Sequence, residues 1–365
     1  MKNTFGNGIH LTVSGESHGE ALIAVLDGIR PGIAVDEEYI RHCLSLRRPS
    51  GSISTPRREA DEYKILSGVF EGRTTGTPIS ILIPNTNKKS ADYDELRYIP
   101  RPSHADYTAY LKYGGYQDIR GGGHFSGRVT AAIVAAGAVT SLALKTEGIE
   151  IGTHIKSIGG ACDRAFADYE SDIGYLSDKT FPVLDAAAAQ EMTAVIEEAR
   201  RNGDSVGGIL ETAVIGMKGG YGEPMFDSVE SVLAHILFSV PAVKSVSFGL
   251  GEGFGSALGS NANDAFALEN GRIVTKTNNN GGINGGITNG MPIVFSCAVK
   301  PTPSISAEQE SVDIRSGEGK VLSVKGRHDP CIVHRAAAVI NACTAIALLD
   351  IITCRDGNKP KETKI

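Results

Sequence analysis

Tryptophan is absent from the 365-residue chain, and aromatic residues make up only 6% of it. Whatever core it builds must therefore rest on Ala, Val, Ile and Leu. Paired cysteines are also missing. Cys43, Cys162, Cys297, Cys331, Cys343 and Cys354 stand singly with no Cys-x-x-Cys spacing, so no metal site is expected and the thiols should be reduced and mostly buried, as in a reducing compartment. No stretch offers the roughly 18 uninterrupted apolar residues of a bilayer span. Met1 to Phe5 carries no apolar signal region. Positive charge is not in excess either: 36 Lys and Arg face 42 Asp and Glu. That balance argues against general nucleic-acid binding but allows a local cluster of arginines. The phosphate-loop, dinucleotide and nucleophile-elbow motifs do not occur. These absences describe a cytoplasmic protein whose chemistry must be sought in other loops.

Residues 9–14 and 21–27 alternate as half-buried strands do, flanking a Gly-Glu-Ser-His-Gly turn. Residues 36–46 read as a helix with Asp36 as its cap. Two β-like runs follow at 63–70 and 78–83. Residues 85–106 have no periodicity and read as a long ordered loop. Residues 128–147 and 332–352 are apolar nearly all round, which places both helices in the interior. Strands are expected near 150–156, 208–217, 243–249 and 292–299, and helices near 186–201 and 228–239. The spacing is not that of regular βαβ units. It predicts a single layered domain over 1–352 with buried helices, not a doubly wound sheet, and a disordered tail over 353–365.

Glycines cluster at 121–127, 218–222, 249–255 and 281–290. The last run is too long for one turn. The first opens the 128–147 helix, and a glycine-rich loop feeding a helix N-terminus is a ready anion site.

Five motifs carry chemistry. In Gly15-Glu16-Ser17-His18-Gly19, a histidine beside a hydroxyl can donate a proton near neutral pH, although a turn histidine bound to a carbonyl fits as well. Arg101-Pro102-Ser103-His104-Ala105-Asp106 offers a fork for a carboxylate or phosphate and a second histidine. Asp106 reads more readily as a helix cap than as an orienting group. Arg120 to Arg128, through Gly121-Gly122-Gly123-His124-Phe125-Ser126-Gly127, favours a phosphate. In Lys325-Gly326-Arg327-His328-Asp329-Pro330-Cys331, the Asp-Pro pair suits the N-cap and first position of the next helix. Lys300-Pro301-Thr302-Pro303-Ser304 is a rigid polar loop. Together these motifs imply an anion-binding cavity with proton-transfer groups.

Taken with Arg47-Arg48-Pro49, and in this order over about residues 5–352, they resemble the chorismate synthase family. The resemblance implies an α+β, layered β-α-β sandwich, assembled as a homotetramer. It implies a lyase of the shikimate pathway, in aromatic amino-acid synthesis. The reaction would be anti-1,4-elimination of phosphate and the C6 hydrogen from 5-enolpyruvylshikimate 3-phosphate, giving chorismate. Reduced FMN would be required without net redox change. By position, His18 would stabilise the leaving phosphate, His104 would serve the flavin, and Asp329 would assist proton removal, with Ser17 and Ser126 linking them. Arg47, Arg48, Arg101, Arg128 and Arg327 would hold the substrate. His124, Phe125, Ser126, Ala242, Gly285, Lys300, Pro301, Thr302, Pro303, Ser304 and Arg327 would contact the flavin. The chain departs from the family at His124, Phe125, Gly127 and Val129, where arginine, serine, alanine and glutamate are usual. It also lacks the arginine that many members carry near Ile53 for the nicotinamide nucleotide. NADPH is therefore expected to act only through a separate flavin reductase. A regulatory flavin-binding paralogue without lyase activity and a flavin-dependent oxidoreductase are the competing readings.

Overall fold

The structure, a computed structural model, describes residues 2–49, 53–54, 61–86, 97–324 and 329–357. Two five-stranded antiparallel sheets enclose a layer of helices. The N-terminal sheet runs Thr4–Phe5, His10–Ser14, Ala21–Asp27, Ile79–Pro84, Lys64–Ser67 in spatial order. The C-terminal sheet runs Val243–Phe248, Ile293–Val299, Gly208–Ile215, Glu150–Ile158, Ala161–Cys162. The helices are α1 Glu37–Leu46, α2 Asp106–Tyr113, α3 Thr130–Lys145, α4 Tyr169–Leu176, α5 Ala186–Arg201, α6 Val229–Leu237, α7 Gly259–Ala262 and α8 Val333–Asp356.

The alternation read from the sequence has a plain cause. Leu22, Ala24 and Leu26 point inward with Ile79, Ile81 and Ile83 from the neighbouring strand, and all six are buried. That face packs on α3. The C-terminal sheet packs on α8, and α3 lies against α8 in the middle. Small residues permit the close approach: Ala131, Ala132, Ala135, Ala136, Gly137 and Ala138 on α3 meet an α8 rich in alanine. Gly127–Lys145, which is α3 with the turn before it, and α8 are long and apolar enough to cross a bilayer, yet 78% and 72% of their apolar windows are buried in the protein. They are core helices of one α+β domain.

Asp36 caps α1, accepting from the Glu38 and Tyr39 amides at 2.9 and 3.1 Å. Four expectations need correction. The 63–70 run breaks at Gly68, whose φ of 81° turns Val69–Phe70 away to pair with Arg73–Thr74. The helix expected from 128 begins as a 3-10 turn over Gly127–Val129 and becomes α-helical at Thr130. Asp329 caps no helix, because α8 starts only at Val333, after Ile332. Finally, α8 continues four residues past 352 to Asp356. Residues 358–365, the rest of the expected tail, lie outside the described residues, as does 87–96 of the expected loop.

Candidate active site

Arg47 closes α1 at its C-terminus, and its side chain reaches the start of α3. There Nε donates to Thr130 Oγ1 at 3.1 Å, Nη2 to the Gly127 carbonyl at 3.2 Å, and Nη1 to Asp61 Oδ2 at 3.1 Å. Arg128, in the 3-10 turn, donates from Nη1 to the other Asp61 oxygen, from Nε to Asn85 Oδ1 at 2.9 Å, and from Nη2 to the Pro84 carbonyl at 3.3 Å. Arg48 Nε stands 3.9 Å from Asp61 Oδ2.

Asp106 does not cap α2; Ala105 occupies that position without a side-chain bond. Its carboxylate turns back instead. It accepts from the Arg101 backbone amide at 3.0 Å and from Arg101 Nε and Nη2, both at 2.8 Å, and lies 2.6 Å from His104 Nδ1. Burial would raise the Asp106 pKa, but hydrogen bonds from Arg101 and His104 outweigh it and hold the carboxyl far below the usual range. A carboxylate at that distance fixes the proton on His104 Nδ1 and leaves Nε2 as the other functional nitrogen. Arg101 Nη1 reaches Ser304 Oγ at 3.0 Å, and Lys300 Nζ bonds the Ser103 carbonyl. Burial first, then Lys244, holds the Lys300 pKa below normal.

The glycine loop supplies the third wall. Gly121, Gly122 and Gly123 all have positive φ, a path closed to most L-residues. A Cβ on Gly121 would stand 2.3 Å from His18 Cε1, and one on Gly122 3.4 Å from His104 Cε1. The loop therefore packs against both histidines. It also docks the 15–19 turn: the Ser17 amide donates to the Gly123 carbonyl at 3.0 Å, and His124 Nδ1 lies 2.8 Å from the Gly15 carbonyl. Asn85 Nδ2 donates to the Glu16 and Gly19 carbonyls at 2.9 and 3.0 Å. Ser126 caps the following turn, accepting from the Arg128 amide at 3.3 Å. Ser17 Oγ is buried and has no hydrogen-bond partner among the described residues.

On the far side, Asp329 pairs with Arg335 from the first turn of α8, and Arg335 Nε donates to the Arg47 carbonyl at 3.0 Å. Thr302 Oγ1 donates to the Asp329 carbonyl at 2.8 Å. These walls bound a cavity of about 1120 Å³. Arg47, Arg48, Arg101, His104, His124, Phe125, Ser126, Arg128, Ala242, Lys300, Thr302, Pro303, Ser304 and Asp329 all line it. Ser17 and His18 lie just behind, against Gly121. Pro301 is not among the lining residues, and Gly285 sits in the turn between the short strands Ile283–Asn284 and Ile287–Thr288. Arg327 lies outside the described residues. Among the described residues no cluster of three or more His, Cys, Asp or Glu side chains suits a metal ion.

Asp61, Asn85, Thr130 and Arg335 belong to the same network and were not singled out in the sequence. Arg335 alone left a signal, as a cation in the first turn of an apolar helix.

A family model described as chorismate synthase matches residues 9–353. The chain is 45% identical to chorismate synthase of Aeropyrum pernix over 361 residues, covering 99% of this chain and 95% of that one. It is 44% identical to chorismate synthase of Thermococcus kodakarensis over 345 residues, 94% and 96% of the two chains. A solved structure, described as a crystal structure of chorismate synthase, superimposes with a TM-score of 0.76 at 30% identity, covering 96% of this chain and 94% of that one. With its cavity, its arginine walls and these relatives in agreement, the chain belongs to the chorismate synthase family of lyases.

Proposed function

We propose that the protein eliminates phosphate and the C6 hydrogen from 5-enolpyruvylshikimate 3-phosphate in the anti-1,4 sense, giving chorismate with the help of reduced FMN. The observation that carries this reading is the convergence of the arginine motifs and His104 on one cavity, with Ser17 and His18 packed directly behind it. A substrate with one phosphate and two carboxylates needs several fixed guanidinium groups. Arg47, Arg48, Arg101 and Arg128 supply them.

The cavity exceeds the range of about 300–1,000 Å³ typical of a single small-molecule site, which suits a flavin together with a second small molecule. Its residues fit such a group. Ala242, a non-glycine residue with φ of 74°, offers folded-back backbone at the wall. Phe125 gives an apolar surface, and Lys300, Thr302 and Ser304 give polar contacts. Reduced FMN, when bound, supplies the electron density that breaking an unactivated C–H bond and a C–O bond requires.

The protein's own groups do the rest. His104 holds a proton on Nδ1 through Asp106 and presents Nε2 beside Gly122. His18 stands at the phosphate-leaving end and stabilises charge on the departing oxygen. Ser17, buried without a partner, awaits a ligand atom or a water. Asp329, paired with Arg335, assists removal of the C6 proton. Single, unpaired cysteines, all free, suit the cytoplasm. Exposed Phe226, Leu258, Phe266, Leu268 and Ile273 suit self-association into the homotetramer. Electrons for the flavin come from a separate reductase, with NADPH acting there.

The test is anaerobic phosphate release from the substrate with catalytic dithionite-reduced FMN. Chorismate formed without net flavin oxidation is expected. Flavin binding with no phosphate release would instead mark a regulatory paralogue, and net flavin oxidation an oxidoreductase. His18→Ala and His104→Ala should each lower turnover by roughly 10²–10⁴, and near-normal turnover in both would sink the assigned roles.

A further inference from the structure

A carboxylate buried in a cavity that takes anions works against its ligand, so Asp61 needs a reason. Its side chain is 0% exposed. Each oxygen holds a different arginine: Oδ2 takes Arg47 Nη1 at 3.1 Å and Oδ1 takes Arg128 Nη1. These arginines arrive from separate places, the end of α1 and the turn before α3. The two arginines also donate to neutral groups: Arg47 to Thr130 and the Gly127 and Arg128 carbonyls, Arg128 to Asn85 and the Pro84 carbonyl. Asp61 is a charged link between the two guanidinium groups. Its backbone adopts φ of 47°, in the left-handed region that non-glycine residues enter seldom and that clusters at functional sites. Brought together without a carboxylate between them, two buried guanidinium groups would repel each other.

Exposure separates the three arginines. The Arg47 and Arg128 side chains are each 5% exposed, against 35% for Arg48. The first two form the wall, and Arg48 is the member turned toward the opening.

We propose that Asp61 is a positioning residue, which fixes Arg47 and Arg128 as a rigid fork behind the substrate's anionic groups and holds Arg48 at its edge. The inference rests on the reading of the cavity as a site for a phosphorylated dicarboxylate. A misplacement of about 1 Å at such a site costs on the order of 100-fold in rate.

The deciding variant is Asp61→Glu, which keeps the charge and moves the carboxylate by one methylene. Asp61→Asn is the second, which keeps the shape and removes the charge. Two readouts apply: steady-state kcat and KM for 5-enolpyruvylshikimate 3-phosphate, and calorimetric binding of inorganic phosphate to the flavin-free protein. Asp61→Glu should stay folded by circular dichroism, lose about 10- to 100-fold in kcat/KM chiefly through KM, and bind phosphate at least about tenfold more weakly. Asp61→Asn should weaken phosphate binding at least as much. If folded Asp61→Glu keeps both values within about twofold of the unaltered protein, a positioning role is excluded. If Asp61→Asn binds phosphate more tightly, Asp61 competes with the ligand and the inference fails. Should Asp61→Asn not fold, Asp61→Glu decides alone. Failure of the functional reading would show in the unaltered protein, as absence of phosphate release, whereas failure of this inference shows only in the variants.

Discussion

His334, one residue before the arginine that holds Asp329, is 1% exposed. Its Nε2 lies 2.8 Å from Ser54 Oγ, and its Nδ1 has no hydrogen-bond partner among the described residues. Burial first, and then the charge of Arg335, pushes its pKa from 6.5 down to about 4. Above pH 6.5 both the native and the unfolded chain carry it neutral. As pH falls from about 6.5 toward 4 the unfolded chain binds a proton that the native chain refuses, so stability drops. One such proton is worth about 1.4 kcal/mol per pH unit. His334→Gln should flatten the slope of unfolding free energy against pH in that window by nearly this amount, measured by urea denaturation from pH 4.5 to 7. An unchanged slope would show that His334 does not titrate this way. At this scale the sequence was legible where residue type and spacing coincide, as in Arg101 and His104, which meet at one wall of the cavity. Asp61 was not, because it ends a mostly charged run, Arg57-Arg58-Glu59-Ala60-Asp61, that matches none of the motifs. Asp106 was misjudged for a related reason. Its position at a helix start suggested a cap, and only the fold of the 101–105 turn brings Arg101 and His104 within its reach.

The central helices show the same limit one level up. Their burial followed from apolar residues on every face, and the half-buried strands from alternation. How closely α3 and α8 pack did not follow, since that depends on which residues meet at the crossing. Gly137 lies there: a Cβ on it would stand 2.3 Å from Ala342 Cβ and 2.6 Å from its Cα. In an isolated helix Gly→Ala gains about 1 kcal/mol, whereas overpacking a filled core costs about 1–3 kcal/mol. With backbone as well as side chain in the way, Gly137→Ala should destabilise the protein by about 1–2 kcal/mol in urea titration. A more stable variant would mean that the helices separate freely. Asp350 is a second case. Within the apolar run of α8 it reads as an interruption, but Oδ1 accepts the Asn7, Gly8 and Ile9 amides at 2.8, 2.6 and 2.9 Å. It ties the last helix to the entry of the N-terminal sheet, a partnership more than 340 residues apart that no local pattern announces.

Across the whole molecule, the cavity is where distant segments meet. Arg47 and Arg128 come from the N-terminal half, Lys300 and Asp329 from near the other end, and Ala242 from the loop before Val243–Phe248. The motifs taken together implied one anion-binding cavity before the fold was known and the family resemblance gave its residues their expected roles, whereas composition and periodicity alone gave layers without a site. A ligand that touches all these segments binds only the folded chain and must therefore stabilise it as a unit. At a concentration about 100 times its Kd such a ligand adds about 2.7 kcal/mol. For domains of 150–250 residues each kcal/mol raises Tm by about 2–4 °C, and this longer chain should respond somewhat less. 5-Enolpyruvylshikimate 3-phosphate, added without flavin, should thus raise Tm by several degrees in scanning calorimetry. The rise should shrink in Arg48→Ala at the same ligand concentration, because this side chain faces the opening and its loss leaves the buried Asp61 pair intact. A reductant should leave Tm unchanged, since all six cysteines are free. A melting temperature that ignores the phosphorylated substrate, while responding to other anions of equal charge, would place the binding site elsewhere than in this cavity.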